Sequence, residues 1–270
     1  QNSEAGLQAI EAVAQDAPKT SAGAQAAFQV GKLRVARQEY SRAIQLLSGL
    51  VQHHPQDANV PEALYLLGAA YELTTNTAKA LDFYQRTWDQ YPQTSFAVEA
   101  LSRMVVLNAR AGQLKPALEL ADKLAARSAD SPALAAAQLA LADALFRQQR
   151  PAEAAARYQA VLAGKSGEHA AEAQYGLGAC YLAQGQPEKA AAAFREGLAK
   201  YPKSPNAAMT RYQLAVSLSR LGDKAGAVKE LEELLAADPK GELSDEALLD
   251  LGTAYADLKQ TPKALAALER

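Results

Sequence analysis

The chain is poor in the residues that build most active sites. It has one cysteine and three histidines in 270 residues. A lone Cys180 excludes an intramolecular disulfide. His53 and His54 are adjacent, so they do not share a helix face, and His169 lies far along the chain; no metal-ligand spacing results. The two histidines beside Pro55 read as solvated surface. Charge of one sign is also missing. The 28 basic and 30 acidic residues leave a net charge of −2, without the basic background that a phosphate backbone requires, so nucleic acid is not an expected partner. Long apolar runs are absent too. The longest, Ala133 to Phe146, is interrupted by Gln138 and Asp143 and is too short to cross a bilayer, so no transmembrane segment is expected. Gly176-Leu177-Gly178 opens like a dinucleotide fingerprint, but no strand precedes it. No cofactor is expected, and no catalytic or metal constellation is legible.

What the chain has is alanine and periodicity. Alanine, leucine, glutamine and lysine favour helix, and three columns recur along the sequence. Ala43, Ala80, Ala117, Ala154, Ala190, Ala227 and Ala264 are spaced by 37, 37, 37, 36, 37 and 37 residues. Pro18, Pro55, Pro92, Pro202 and Pro239 form a second column, with Ala129 and Ser166 in its gaps. Gly31, Gly68, Val105, Ala142, Gly178, Ala215 and Gly252 form a third. Such self-similarity predicts a solenoid of repeated supersecondary units. Proline lacks an N–H and clashes with the preceding turn, so each periodic proline marks where every second helix stops. Glycine in the first helix and alanine in the second allow close antiparallel packing. Apolar residues between the columns keep helical spacing, as in Ala63, Leu64, Leu67, Gly68 and Tyr71. Turn signals at Ala183-Gln184-Gly185-Gln186-Pro187 and Leu221-Gly222-Asp223 separate the two helices. Each helix is expected to run about 13–14 residues, roughly 20 Å. Ser131-Pro132 and Ser204-Pro205 read as N-caps followed by proline at the first helical position.

These columns resemble the tetratricopeptide repeat. Ala63-Leu64-Tyr65-Leu66-Leu67-Gly68-Ala69-Ala70-Tyr71, Lys79-Ala80-Leu81-Asp82-Phe83-Tyr84 and Tyr91-Pro92 follow its pattern. So do Ala173 to Tyr181, Lys189-Ala190 to Phe194 and Tyr201-Pro202. The resemblance covers essentially the whole chain. It implies an all-α, right-handed superhelical solenoid of antiparallel helix pairs, about seven units plus a partial one at the N-terminus, as a single array over residues 1–270. Residues Glu4 to Pro18 match only a second helix, and the chain stops at Arg270 inside another, so a fragment of a longer array is expected. The 37-residue period with Tyr-Pro endings is similar to the bacterial subset found in TolA-binding and outer-membrane assembly proteins, which implies an envelope or periplasmic setting. The stretches Phe96 to Ala129 and Pro132 to Ser166 lack the terminal proline and the glycine. A local change in curvature and the weakest interface are expected there.

The resemblance further implies a non-catalytic scaffold whose first helices line a groove for a peptide or protein partner. Its groove columns place Phe28, Tyr65, Tyr175 and Tyr212 in one row, with Phe146, Leu73, Leu182 and Val106 nearby. Tyrosine there offers large contact area at small entropic cost; the competing reading is that the rings only cover the stripe between neighbouring helices. Arg110, Arg147 and Arg220 recur at the ends of first helices, as a ladder for partner carboxylates or as simple complements to the helix dipole. Glu62, Glu99, Glu172 and Glu246 suit the opposite end of that dipole. The family's Lys/Asn clamp for a C-terminal carboxylate is missing, because the matching positions hold Tyr65 and Ala69, Ser102 and Val106, Leu139 and Asp143. Cys180 reads as buried core, and Trp88 as packing between repeats.

Overall fold

The computed structural model describes residues 4–164 and 167–270. Among them it has fifteen α-helices and one short 3₁₀ turn, and it divides into two compact units, Gln1–Ala129 and Asp130–Arg270. The N-terminal unit holds α1 (Glu4–Asp16), α2 (Ser21–Ala36), α3 (Tyr40–His53), α4 (Val60–Leu73), α5 (Thr77–Gln90), α6 (Ser95–Arg110) and α7 (Leu114–Arg127). The C-terminal unit holds α8 (Pro132–Arg147), α9 (Pro151–Ala163), α10 (Ala170–Ala183), α11 (Pro187–Lys200), α12 (Ala207–Arg220), α13 (Lys224–Ala237), α14 (Ser244–Asp257) and α15 (Thr261–Leu268). Within each unit every helix packs on the one before and the one after. First helices also touch the next first helix, as α2 does α4, α4 does α6, and α10 does α12. This is a tetratricopeptide-like solenoid of about seven pairs, with α1 a second helix preceding the first pair.

Proline acts where the sequence put it. The helices before Pro18, Pro55, Pro92, Pro202 and Pro239 end at Asp16, His53, Gln90, Lys200 and Ala237, two residues short each time. The α region is disfavoured for the residue before proline, and His54, Tyr91, Tyr201 and Asp238 take φ between −129° and −145°. In the N-terminal unit the proline carbonyls then tie successive repeats. Pro18 O lies 2.8 Å from His54 Nε2, Pro55 O accepts from Tyr91 Oη at 3.2 Å, and Pro92 O accepts from Arg127 Nη2 at 3.0 Å. His54 is therefore a link between repeats and not merely solvated surface. Ser166, which fills one gap of the proline column, lies outside the described residues.

The turn inside each pair follows a rule the three columns do not reveal. Gln38, Thr75, Gly112, Gln149, Gly185, Gly222 and Lys259 all have positive φ, from 60° to 80°, at the same register. The residue after each donates its N–H to the carbonyl five residues before it, at 2.8–3.0 Å. This satisfies carbonyls left open at a helix end. Glycine accepts a left-handed backbone without cost to a Cβ; Thr75, β-branched, is strained there.

Three expectations need correction. First, α2, α6 and α8 run 16 residues. Thr20, Thr94 and Ser131 cap them, each side-chain oxygen accepting from the N–H three residues on, so these helices start earlier. Glu99, in consequence, is not in the first turn of its helix, whereas Glu62, Glu172 and Glu246 are. Second, Ser131-Pro132 is a cap as read, but Ser204-Pro205 is not. Ser204 O accepts from Ala207 N at 3.0 Å in a turn, and Asn206 precedes the helix. Third, the column glycines meet a large side chain of the second helix before they meet the column alanine, although a Cβ on Gly252 would also come within 3.4 Å of Ala264 O. A Cβ on Gly31, Gly68 or Gly252 would lie 2.6–2.7 Å from Leu47, Tyr84 or Leu268, and one on Gly178 would penetrate the Phe194 ring. Each large side chain stands one turn beyond the alanine, which is itself fully or nearly buried from Ala43 to Ala227.

Candidate functional site

The residues singled out from sequence lie on first helices. In the N-terminal unit these are Phe28 on α2, Tyr65 on α4, and Val106 and Arg110 on α6. In the C-terminal unit they are Phe146 and Arg147 on α8, Tyr175 on α10, and Tyr212 and Arg220 on α12. Exposure separates them. Phe28 and Val106 are only 4% and 5% exposed, so both side chains are spent on packing. Tyr65, Phe146, Tyr175 and Tyr212 are half-buried, while the three arginines are exposed.

Each tyrosine is held from one side. The Tyr65 ring centroid lies 5.7 Å from Tyr84 and 6.1 Å from Phe96, and Tyr175 lies 6.0 Å from Phe194. Tyr212 Oη donates to Asp250 of α14 at 2.9 Å. Burial pushes the Tyr65 and Tyr175 hydroxyls up, and burial with the Asp250 carboxylate takes Tyr212 up to about 12. Near neutrality all three are protonated, fixed, amphipathic surfaces, suited to contact and hydrogen bonding.

The arginines sit in the last turns of α6, α8 and α12, where a cation complements the helix dipole by about 0.3–1 kcal/mol. Arg220 also leans back on the preceding repeat, its Nη1 3.5 Å from Leu182 O. Leu73 stands at the same register of α4 and is 58% exposed. Between α12 and α14 a cavity of about 150 Å³ is lined by Ala215, Val216, Ser219, Arg220, Asp250 and Thr253. Its apolar walls with one carboxylate and one guanidinium have room for a single side chain.

Several polar clusters escaped sequence reasoning, two of them built around tyrosines. Glu72, at the end of α4, accepts from Tyr84 Oη at 2.9 Å and from Arg103 of α6, Nε at 3.0 Å with a second bond from Nη2. The pair is the geometry a guanidinium favours with a carboxylate, and it stitches three helices. In the C-terminal unit Tyr158 Oη donates to Asp143 at 2.6 Å. Tyr84 and Tyr158 share a register, which is a signal; the carboxylates do not, and only the folded geometry pairs them. Cys180 is fully buried, and burial pushes its thiol up to about 12. Trp88 is half-buried. Among the described residues no group of three or more His, Cys, Asp or Glu side chains gathers as a metal site, and no helix is long and apolar enough to cross a membrane.

Known proteins match this architecture. No curated protein matches the chain. Among solved structures, a tetratricopeptide repeat protein from Parabacteroides merdae superposes with a TM-score of 0.60 at 14% identity, covering 90% of each chain. The C-terminal part of a repeat-containing protein from Cytophaga hutchinsonii gives a TM-score of 0.70 at 15% identity, over 89% of this chain and 92% of that one. Pseudomonas aeruginosa pilF gives 0.57 at 19% identity, over 77% and 88%. At such identities the likeness speaks for the fold alone. Sequence profiles of the tetratricopeptide repeat match residues 62–94, 106–169, 139–205 and 212–270. These segments take in more than half of the chain, and with the helix-pair geometry they establish that it belongs to the tetratricopeptide repeat family.

Proposed function

We propose that the chain is a non-catalytic scaffold that binds a peptide or protein partner on the surface of its first helices. The family typically mediates protein–protein interaction. The observation that carries the reading here is the set of half-buried tyrosines, Tyr65, Tyr175 and Tyr212, fixed on one flank and open on the other. Rigid aromatic surface is what interface anchors are made of. In the C-terminal unit Tyr175 and Tyr212 stand on touching first helices, and the adjoining cavity beside Arg220 receives one partner side chain. Arg110 and Arg147, exposed at helix ends, are placed to meet partner carboxylates, with Phe146 as a further apolar contact. Phe28 and Val106 support the surface from beneath.

The test compares partners captured from native lysate by this chain and by a Tyr65→Ala, Tyr175→Ala, Tyr212→Ala variant of unchanged helicity. Partners lost with the variant support the reading. Partners held equally by both move binding to another face. A second reading, a structural or assembly component of a bacterial envelope or periplasmic complex, rests on the 37-residue period and the Tyr91-Pro92 and Tyr201-Pro202 endings. Fractionation of the native protein tests it, and a cytosolic location would dismiss it.

A further inference from the structure

The cavity between α12 and α14 has a filled counterpart within the same compact unit. Two repeats earlier, Tyr158 stands in the register of Leu231, and Gly176 in that of Asp250. There the Tyr158 ring crosses from α9 to α10, so close that a Cβ on Gly176 would lie 2.3 Å from its Cζ. Its hydroxyl donates to Asp143 of α8 at 2.6 Å, and the side chain is 4% exposed. Leu231 of α13 carries no ring to reach that far, and a space of about 150 Å³ is left open. The Tyr158 site is built from α8, α9 and α10, and its counterpart from the matching three helices α12, α13 and α14.

Exposure orders the lining. Ala215, Ala227, Leu231 and Ala254, none more than 4% exposed, form the floor. Val216 and Asp250 are half-buried and Arg220 is exposed, at the mouth. The two charges there are of opposite sign. Asp250 is fixed by Tyr212, whose hydroxyl donates to its Oδ2 at 2.9 Å, and Arg220 comes from the last turn of α12.

Size, charge and polarity choose the occupant. An apolar cavity of about 150 Å³ is large enough for benzene. A ring suits a mouth with one cation and one anion, because its faces carry negative potential and its edge positive. The chain already uses the cationic half of that pairing: Lys79 Nζ stands 5.0 Å from the Tyr71 centroid, and the Arg86 guanidinium 5.0 Å from that of Phe83. Polarity then separates one ring from another. Val216 stands where Asp143 accepts the Tyr158 hydroxyl, and the floor side chains are all hydrocarbon. A hydroxyl carried down to that floor would lose its water without gaining an acceptor.

We propose that this cavity is a subsite for one phenylalanine side chain of the partner, its ring on the alanine floor and flanked by Arg220 and Asp250. The inference rests on the reading that partners meet the first-helix surface, and it names the residue that anchors them in the C-terminal unit.

The probe is N-acetyl-phenylalaninamide, titrated into the methyl-labelled chain and followed by NMR. Saturable binding in the millimolar range is expected, with ring-current shifts at the methyls of Ala215, Leu231 and Ala254. The tyrosine analogue should bind at least about fivefold more weakly, because its hydroxyl is left unpaired. The cyclohexylalanine analogue, similar in size but without the ring's charge distribution, should bind about threefold more weakly. Arg220→Gln should erase that last difference. Val216→Trp, which fills the cavity from its wall, should abolish the shifts at unchanged helicity; if that variant does not fold, Arg220→Gln, at an exposed position, still decides. No shift at the three methyls, or equal affinity for the phenylalanine and tyrosine probes, overturns the proposal. So does binding that a folded Val216→Trp chain retains, or a preference for the aromatic ring that Arg220→Gln leaves intact. Ring binding here by a chain whose triple-tyrosine variant keeps every lysate partner supports the subsite and fails the broader reading. Partners lost with that variant, but no ring binding here, fail the subsite alone.

Discussion

The α10–α11 pair and the α6–α7 pair solve one packing problem in opposite ways. In the first, glycine (Gly178) lies under a large ring (Phe194). In the second, the corresponding positions hold Val105 and Ala121, both fully buried. Bulk has moved from the second helix to the first. The α8–α9 pair shows a third solution. Tyr158 is too large for Ala142 alone, and its ring is received by Gly176 of α10, the following first helix. Helix stops vary likewise. α11 ends before Pro202, whereas α7 ends at Arg127 without a proline, and Ser128 still takes a φ of −154°. What the repeats share is the burial of each crossing and the place of the turn, not the residue at a given column. Close-packed interiors answer to summed volume and tolerate its redistribution.

The comparison is broken most sharply at the ring. Phe194→Ala should cost about 3–5 kcal/mol in chemical denaturation, as a buried aromatic truncation does. Gly178→Val should cost about 1–3 kcal/mol by overpacking. Combined, they recreate the α6–α7 arrangement, and the double variant should be more stable than the sum of the two losses predicts. Strict additivity would show that volume is not exchangeable across this crossing. The reverse experiment is Ala121→Phe, expected to lose about 1–3 kcal/mol and to regain most of it when Val105→Gly is added.

Smaller effects test whether the turns are as uniform as the crossings are varied. Gly112→Ala and Gly185→Ala, one from each kind of pair, should each lose about 1 kcal/mol, because both glycines are left-handed. Thr75→Gly should gain about 1 kcal/mol for the same reason. Unequal losses at the two glycines would show that the pairs differ in their turns as well.

The smallest signal is chemical. The Cys180 thiol, held up to about 12 against an ordinary 9.0, should resist a disulfide reagent until α10–α11 opens. The unfolded thiol ionises above about pH 9 while the folded one keeps its proton, so stability falls as pH rises past that value. Cys180→Ala should remove that part of the alkaline loss. Placing the probe at the matching register of α6, as Leu107→Cys in a Cys180→Ala chain, reports opening of the other pair. Earlier labelling there would make α6–α7 the weaker pair, as its lost proline and glycine suggest.

The fold was legible because three columns of small residues and proline survive in the sequence with nearly constant spacing, and both kinds of residue have a local steric meaning. The places where reading failed are those where meaning is not local. Nothing in Gln38, Thr75, Gln149 or Lys259 announces a left-handed backbone; the helix end imposes it. Arg34 stands where Tyr71, Tyr181 and Tyr255 stand in other repeats, and its role depends on Glu4, Glu11 and Glu39, which only folding brings round it. For the candidate surface, the family resemblance was enough to find first-helix residues and insufficient to tell Phe28 and Val106, which are enclosed, from Tyr65, Tyr175 and Tyr212, which are not. Exposure depends on neighbours one repeat away.

Because within each compact unit a helix is held almost wholly by the one before and the one after, such a unit has a characteristic response to tension. Pulled from its ends, such a unit has among its described residues no strong contact between helices far apart in the chain that must break first. A pair can leave the end of a compact unit without disturbing the pairs behind it. Each 37-residue repeat released lengthens the tether by at most about 120–130 Å. Extension should therefore proceed in similar increments, with the rings and the buried Arg34 setting the order in which they come.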